Sequence, residues 1–150
     1  MTQPMPAAIW FGDPTLELIR QLETGTFASY IGVEFTELGH DYLCGRMPVT
    51  DHHLQPFGLL HGGASVALAE TLGSIAANLV VNREYHYCVG QSITSHHVRP
   101  VERGYVAGVA RPVHIEQRRQ AWEILLRNDD DEVSCISTLV MAVRARPTEK

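Results

Sequence analysis

From Gly58 to Val81 the chain runs without a proline and with one formally charged side chain, Glu70. Alanine and leucine dominate from about Gly62, which predicts a single long helix reaching Val81. Apolar residues occur nearly all the way round this helix, so it belongs at the centre of a fold rather than on its surface. The tract is long enough to raise the question of a bilayer span, yet His61, Glu70 and Asn78 interrupt it. A carboxylate at mid-span is costly in lipid, so a buried core helix with no membrane partner is expected.

Such a helix needs a cover, and the later part of the chain can supply one. Segments rich in β-branched and aromatic residues run from about Tyr87 to Val98, Tyr105 to Ile115, Ala121 to Arg127 and Val133 to Val143, with turn chemistry at Pro100–Gly104, Glu116–Arg119 and Asn128–Glu132. Before the helix, Val33–Leu38 and Tyr42–Val49 flank Gly39-His40-Asp41 and predict a hairpin. Upstream, Asp13-Pro14 followed by Leu16, Leu18, Ile19 and Leu22 predicts a short amphipathic helix, with Pro14 at its first position and Gly25 as its stop. Links this short between strands imply antiparallel neighbours. The expected class is α+β: one antiparallel sheet wrapped around a long central helix, preceded by an N-terminal helix. The 150 residues fit one domain. Residues 1–30 form an N-terminal extension, 31–143 the domain and 144–150 a frayed tail. A sheet edge and one uncovered helix side invite a second copy of the chain, so a homodimer at minimum is expected.

A formal charge of −5 argues against a general nucleic-acid surface. Three cysteines, Cys44, Cys88 and Cys135, show no paired spacing and favour a reducing compartment. The first residues carry no basic stretch followed by an apolar run, and a cytoplasmic location is expected. Eight histidines include the pairs His52-His53 and His96-His97, but none of the usual ligand motifs occurs, so no metal is expected.

The segment His53-Leu54-Gln55-Pro56-Phe57-Gly58-Leu59-Leu60-His61-Gly62-Gly63-Ala64 feeds the start of the central helix. Adjacent glycines allow a ligand to approach bare backbone, and first-turn amides have no partner within the helix. The Gly62 N–H is therefore a candidate oxyanion donor, although Gly62-Gly63 also suits tight packing alone. Glu70 lies within the apolar helix, where a carboxylate is rarely buried without a partner or a purpose. Ser74 and Asn78 follow at four-residue steps, placing a polar stripe on one face. A partly desolvated carboxylate makes a stronger base or nucleophile. Gly62 and Glu70 are eight residues apart, about 12 Å along a helix axis, too far to share one carbonyl. Two antiparallel central helices related by a two-fold axis would bring the helix start of one protomer to Glu70 of the other.

The run from Gln55 to Ser65, continued by Ala69-Glu70-Thr71-Leu72-Gly73-Ser74, resembles the signature of the hotdog-fold thioesterase superfamily. The likeness extends from about Ile31 to Val143 and is strongest to the PaaI-like branch of 1,4-dihydroxy-2-naphthoyl-CoA and enterobactin-proofreading thioesterases, related to the Arthrobacter-type 4-hydroxybenzoyl-CoA thioesterase. The resemblance implies Glu70 as nucleophile or general base and Gly62 as oxyanion donor. It also implies Gln55 orienting the thioester or water, His61 as a helper near the thioester, and Ser74 holding Glu70 or the attacking water. Phe57, His97 and Arg99 are implied to contact substrate, and Arg118 and Arg119 suit the phosphates of CoA through charge-assisted hydrogen bonds. No cofactor is implied, CoA being part of the substrate, and a dimer of dimers is the implied assembly.

The chain departs from the family pattern at Thr94-Ser95-His96, where Asn-Ala-Asn is common, and at Glu116, where glycine is usual. The implied reaction is hydrolysis of an acyl-CoA with an aromatic or medium-length acyl group. An acyl-carrier-protein proofreading hydrolase, a hydratase or dehydratase of the same fold, and a non-catalytic acyl-CoA binding module are the alternatives.

Overall fold

A computed structural model describes residues 7–147 of the chain. Its centre is α3, Gly62–Val80. Leu68, Ala69, Leu72, Ala76 and Ala77 are fully buried on it, which offsets the entropy of ordering the helix far more than intrinsic propensity does. A six-stranded antiparallel sheet curls around this rod. Its strands are β1 (Glu34–Leu38), β2 (Leu43–Pro48), β3 (His86–His97), β4 (Tyr105–Ile115), β5 (Arg119–Arg127) and β6 (Val133–Ala145). They lie in the order β1-β2-β4-β5-β6-β3. The expected hotdog arrangement is thus present, and α3 packs on a sheet with its apolar surface despite being long and apolar enough to cross a membrane.

Alternation fixes which face of each strand meets α3. In β5, Gln120, Trp122, Ile124 and Leu126 are buried while their neighbours are not, the period of two expected of a half-covered sheet. Trp122 is fully buried and stacks on Trp10 at 6.4 Å between ring centroids, and its indole N–H donates to Gln120. Trp10 belongs to a strap ahead of the first helix. Its indole N–H donates to the Gly39 carbonyl, Ile9 N–H to His40 and Phe11 N–H to Leu79.

Several boundaries differ from the sequence expectation. Helix α1 spans Leu16–Leu22 and is capped by the Thr15 hydroxyl, which accepts from Leu18 N–H, so Pro14 precedes the cap instead of opening the helix. Glu23 ends α1 before Gly25, whose left-handed backbone (φ 76°) turns the chain into a further single-turn helix, α2, Phe27–Tyr30. The fraying expected from Arg144 onward is absent from the described residues. Arg144 and Ala145 complete β6 by pairing with Tyr87 and His86, and residues 148–150 lie outside the described residues, as do residues 1–6 of the N-terminal extension. β3, twelve residues long, ends the sheet, with one side unpaired among the described residues.

Candidate active site

The loop before α3 is tied down at both ends. His61 N–H donates to His53 O and Leu60 N–H to Val101 O, while Gln55 N–H reaches Leu59 O across a turn in which Gly58 takes φ 78°. His53 is buried and spans Thr50 and the Ile31 carbonyl, which makes this histidine a structural brace. Gln55 Oε1 accepts a short hydrogen bond from Phe57 N–H, leaving its amide NH2 as the free donor. The Phe57 ring itself is exposed and does not line the cavity beside Gln55.

His61 is the N-cap of α3: its Nδ1 accepts from Gly63 N–H at 2.8 Å. The helper role suggested for His61 is therefore preceded by a capping role, because one ring nitrogen is already occupied. Ala64 N–H is taken by the His61 carbonyl. No acceptor falls on Gly62 N–H among the described residues, so this first-turn amide is the one left to point at a ligand. Gly62 also lets an imidazole come close, since a methyl built on it would lie 3.0 Å from His97 Nε2. Gln55, Gly62, Ser65, His97 and Arg99 line one cavity of about 330 Å³. Arg99 also sits 3.5 Å from Glu132.

Glu70 opens elsewhere. It lines a second cavity, about 500 Å³, with Gly63, Val66, Ala67, Thr71, Ser74 and Ile75 of α3 facing the turn from Glu23 to Ala28. The residue is half-buried, and among the described residues nothing forms an ion pair or hydrogen bond with its carboxylate. Its Oε1 rests against β3, where a methyl built on Gly90 would lie 2.5 Å away. The β3–β6 ladder slips between Gly90 and Ser92, so a bulge accompanies this approach.

Ser74 shares the Glu70 cavity, but its hydroxyl is directed to the Met141 sulfur at 3.7 Å and not to Glu70. Asn78, the last member of the polar stripe, is a structural link. Its side-chain amide donates to Ser74 O and Cys88 O and accepts Cys88 N–H at 2.8 Å, bolting α3 to the start of β3. Arg118 on the β4–β5 turn and Arg119 at the start of β5 are exposed and line neither cavity, with Glu116 on that turn 3.7 Å from His114.

One protomer thus assembles Gln55, Gly62, His97 and Arg99 on one side of α3 and Glu70 with Ser74 on another, without joining the two groups. Phe27 and Gly90 were not singled out from the sequence. A lone glycine inside a strand pattern is a usable signal of close approach, whereas a single aromatic residue outside any apolar period is not. Among the described residues no cluster of three or more metal-ligating side chains forms.

Comparison with known proteins fits this architecture. The family model for the thioesterase superfamily matches residues 57–135. The proofreading thioesterase EntH of Cronobacter turicensis is 44% identical over 90% of this chain and 98% of its own. Thioesterase HI1161 of Haemophilus influenzae superposes with a TM-score of 0.88 at 38% identity, over 91% of this chain and 95% of that one. A mutant of thioesterase PA1618 of Pseudomonas aeruginosa gives 0.90 at 39% identity, over 93% of this chain and all of that one. The chain belongs to the thioesterase superfamily, with the hotdog fold, and is a thioester hydrolase.

Proposed function

We propose that the substrate is an acyl-CoA bearing an aromatic or medium-length acyl group, and that it is cleaved in a composite site shared by two protomers. The observation that carries this reading is the separation of the two half-sites along one helix. Gly62 N–H and the Glu70 carboxylate stand eight residues apart on α3, about 12 Å, and open into different cavities. A two-fold axis that reverses one α3 against another would complete each half-site with the missing half of its neighbour, giving two sites per homodimer. The unpaired side of β3 supports pairing between copies, and a dimer of dimers is the larger assembly proposed. The free cysteines are consistent with a cytoplasmic location.

In this reading the thioester carbonyl accepts from Gly62 N–H, with the Gln55 amide as a second donor, so that charge developing on oxygen is stabilised by groups already in place. Glu70 of the other protomer either removes a proton from water as it attacks the carbonyl carbon, or attacks that carbon to form a mixed anhydride that water then opens. In both routes the C–S bond breaks, the thiolate leaves and takes up a proton, and the free acid is released. Labelled oxygen appearing in Glu70 after a single turnover in isotopically enriched water would select the second. His97 and Arg99, which line the cavity of the oxyanion donor, are proposed substrate contacts, exposed Phe57 is proposed to meet the neighbouring chain or the acyl group, and Arg118 with Arg119 are proposed phosphate contacts. The reaction draws on carboxylate, amides and water and needs no metal or redox cofactor.

Release of free thiol from a panel of acyl-CoA and acyl-carrier-protein thioesters tests the substrate class. The carrier-protein arm is motivated by the similarity to a proofreading thioesterase. Glu70→Gln is expected to lower turnover by roughly a hundredfold to ten-thousandfold with the dimer intact. Mixing Glu70→Ala with Gln55→Ala subunits tests the shared site directly. One intact site forms in each mixed dimer, so an equal mixture should recover about a quarter of wild-type activity. No recovery from mixed dimers demonstrated to form would refute the shared site.

A further inference from the structure

Resting on the reading of Glu70 as the catalytic carboxylate, we infer that the segment from Glu23 to Ala28, where the chain turns from α1 into α2, forms the acyl-selecting wall of the site, with Phe27 as its specificity-determining residue. The cavity that Glu70 opens into is a slot with α3 as its floor, where Val66, Ala67 and Ile75 are apolar. Among the described residues Phe27 is the one aromatic side chain that lines that slot, on the segment across from α3. The residue is 63% exposed although Val66, Ala67 and Ile75 line the same slot. An exposed ring beside an apolar slot gains most when an apolar ligand covers it.

The wall is placed firmly but attached lightly. Ala28 is buried and its carbonyl accepts Val33 N–H, while the Thr26 hydroxyl bonds to the Glu23 carbonyl at 2.8 Å and to its carboxylate at 2.9 Å. Gly25 and Gly32, at φ 76° and 79°, bracket the single turn that carries Phe27. The match to the superfamily model begins at residue 57, so this wall lies outside it while the floor lies within it. The slot therefore takes an uncharged, apolar acyl group long or broad enough to extend from the carboxylate to the ring, and Phe27 sets how such groups are ranked.

The test compares kcat and KM for acetyl-CoA, hexanoyl-CoA and benzoyl-CoA in wild type, Phe27→Ala and Phe27→Leu, with circular dichroism confirming that each variant is folded. An acetyl group ends too near the thioester to meet the ring. Removing the ring should lower kcat/KM for the two larger substrates, relative to acetyl-CoA, by about tenfold, chiefly through KM, and Phe27→Leu should recover most of the hexanoyl loss but not the benzoyl loss. Ratios within about twofold of wild type in both variants would overturn the assignment. Binding of benzoyl-CoA to Glu70→Gln, with and without Phe27→Ala, separates this inference from the catalytic reading. Affinity that falls about tenfold on loss of the ring, in a protein whose thiol release is unchanged by Glu70→Gln, leaves the wall standing and removes the reading of Glu70. Turnover that depends on Glu70 but affinity and ratios that ignore Phe27 do the reverse.

Discussion

The Glu70 carboxylate packs against Gly90 across the gap between α3 and β3: a methyl built on the glycine would lie 2.5 Å from the glutamate Oε1, so the two cannot keep their places together. The obstructing atom is the end of a flexible side chain, so an added methyl would displace the carboxylate and leave the strand in place. Gly90→Ala is expected to cut kcat by roughly tenfold to a hundredfold, the usual consequence of misplacing a catalytic group by about an ångström. Steady-state kinetics alongside thermal melting checks this, since unchanged kcat would mean the carboxylate has room to spare.

Asn78 joins helix to sheet through two hydrogen bonds to the Cys88 backbone, one of them accepted from the N–H of buried Cys88, and donates a third to Ser74 O within α3. Asn78→Ala strips that N–H of its acceptor, and an unsatisfied buried donor costs about 1–3 kcal/mol. Denaturant titration should show a loss of that size. Since Asn78 lies two turns beyond Glu70 along α3, any fall in activity should track the unfolded fraction.

Burial pushes the Cys88 thiol from its ordinary 9.0 up to about 11. The folded chain holds that proton more tightly than the unfolded chain does, so the stabilisation is complete below pH 9.0 and disappears as pH rises towards about 11. Stability measured across this alkaline window should decline, and Cys88→Ala should flatten the part of the decline that this thiol causes. In the folded protein at neutral pH, Cys88 should also resist alkylation, because the thiolate is the reactive form.

Much of this fold was legible because one period dominates each segment. The uninterrupted apolar tract fixed α3 to within a residue of its observed end, and β4 runs over the residues expected from alternation alone. Capping and side-chain direction were less legible. Pro14 looked like a helix opener, yet the Thr15 hydroxyl accepts the free amide, and no periodicity distinguishes those two beginnings. Asn78 shares the stripe spacing of Glu70 and Ser74, but its amide turns to the Cys88 backbone, a partner ten residues away that only the fold brings near. His61 sits in the motif and also closes the helix start, which depends on a ring orientation that no spacing specifies. The two cavities stand apart in one chain, and the joining proposed for them rests on a second copy whose seating no residue pattern specifies.

The strap from Ile9 to Phe11 moors the far end of the central rod. By accepting Phe11 N–H on its Leu79 carbonyl, α3 is held to the same segment that grips the Gly39 and His40 carbonyls of the β1–β2 turn. Shortening the chain past Phe11 would cast off the last turn of the rod and expose the face of Trp122, although both lie well away from the loop that leads into Gly62. Tags and fusions placed upstream should therefore keep clear of Ile9, or what is measured will be a loosened helix in place of the native enzyme.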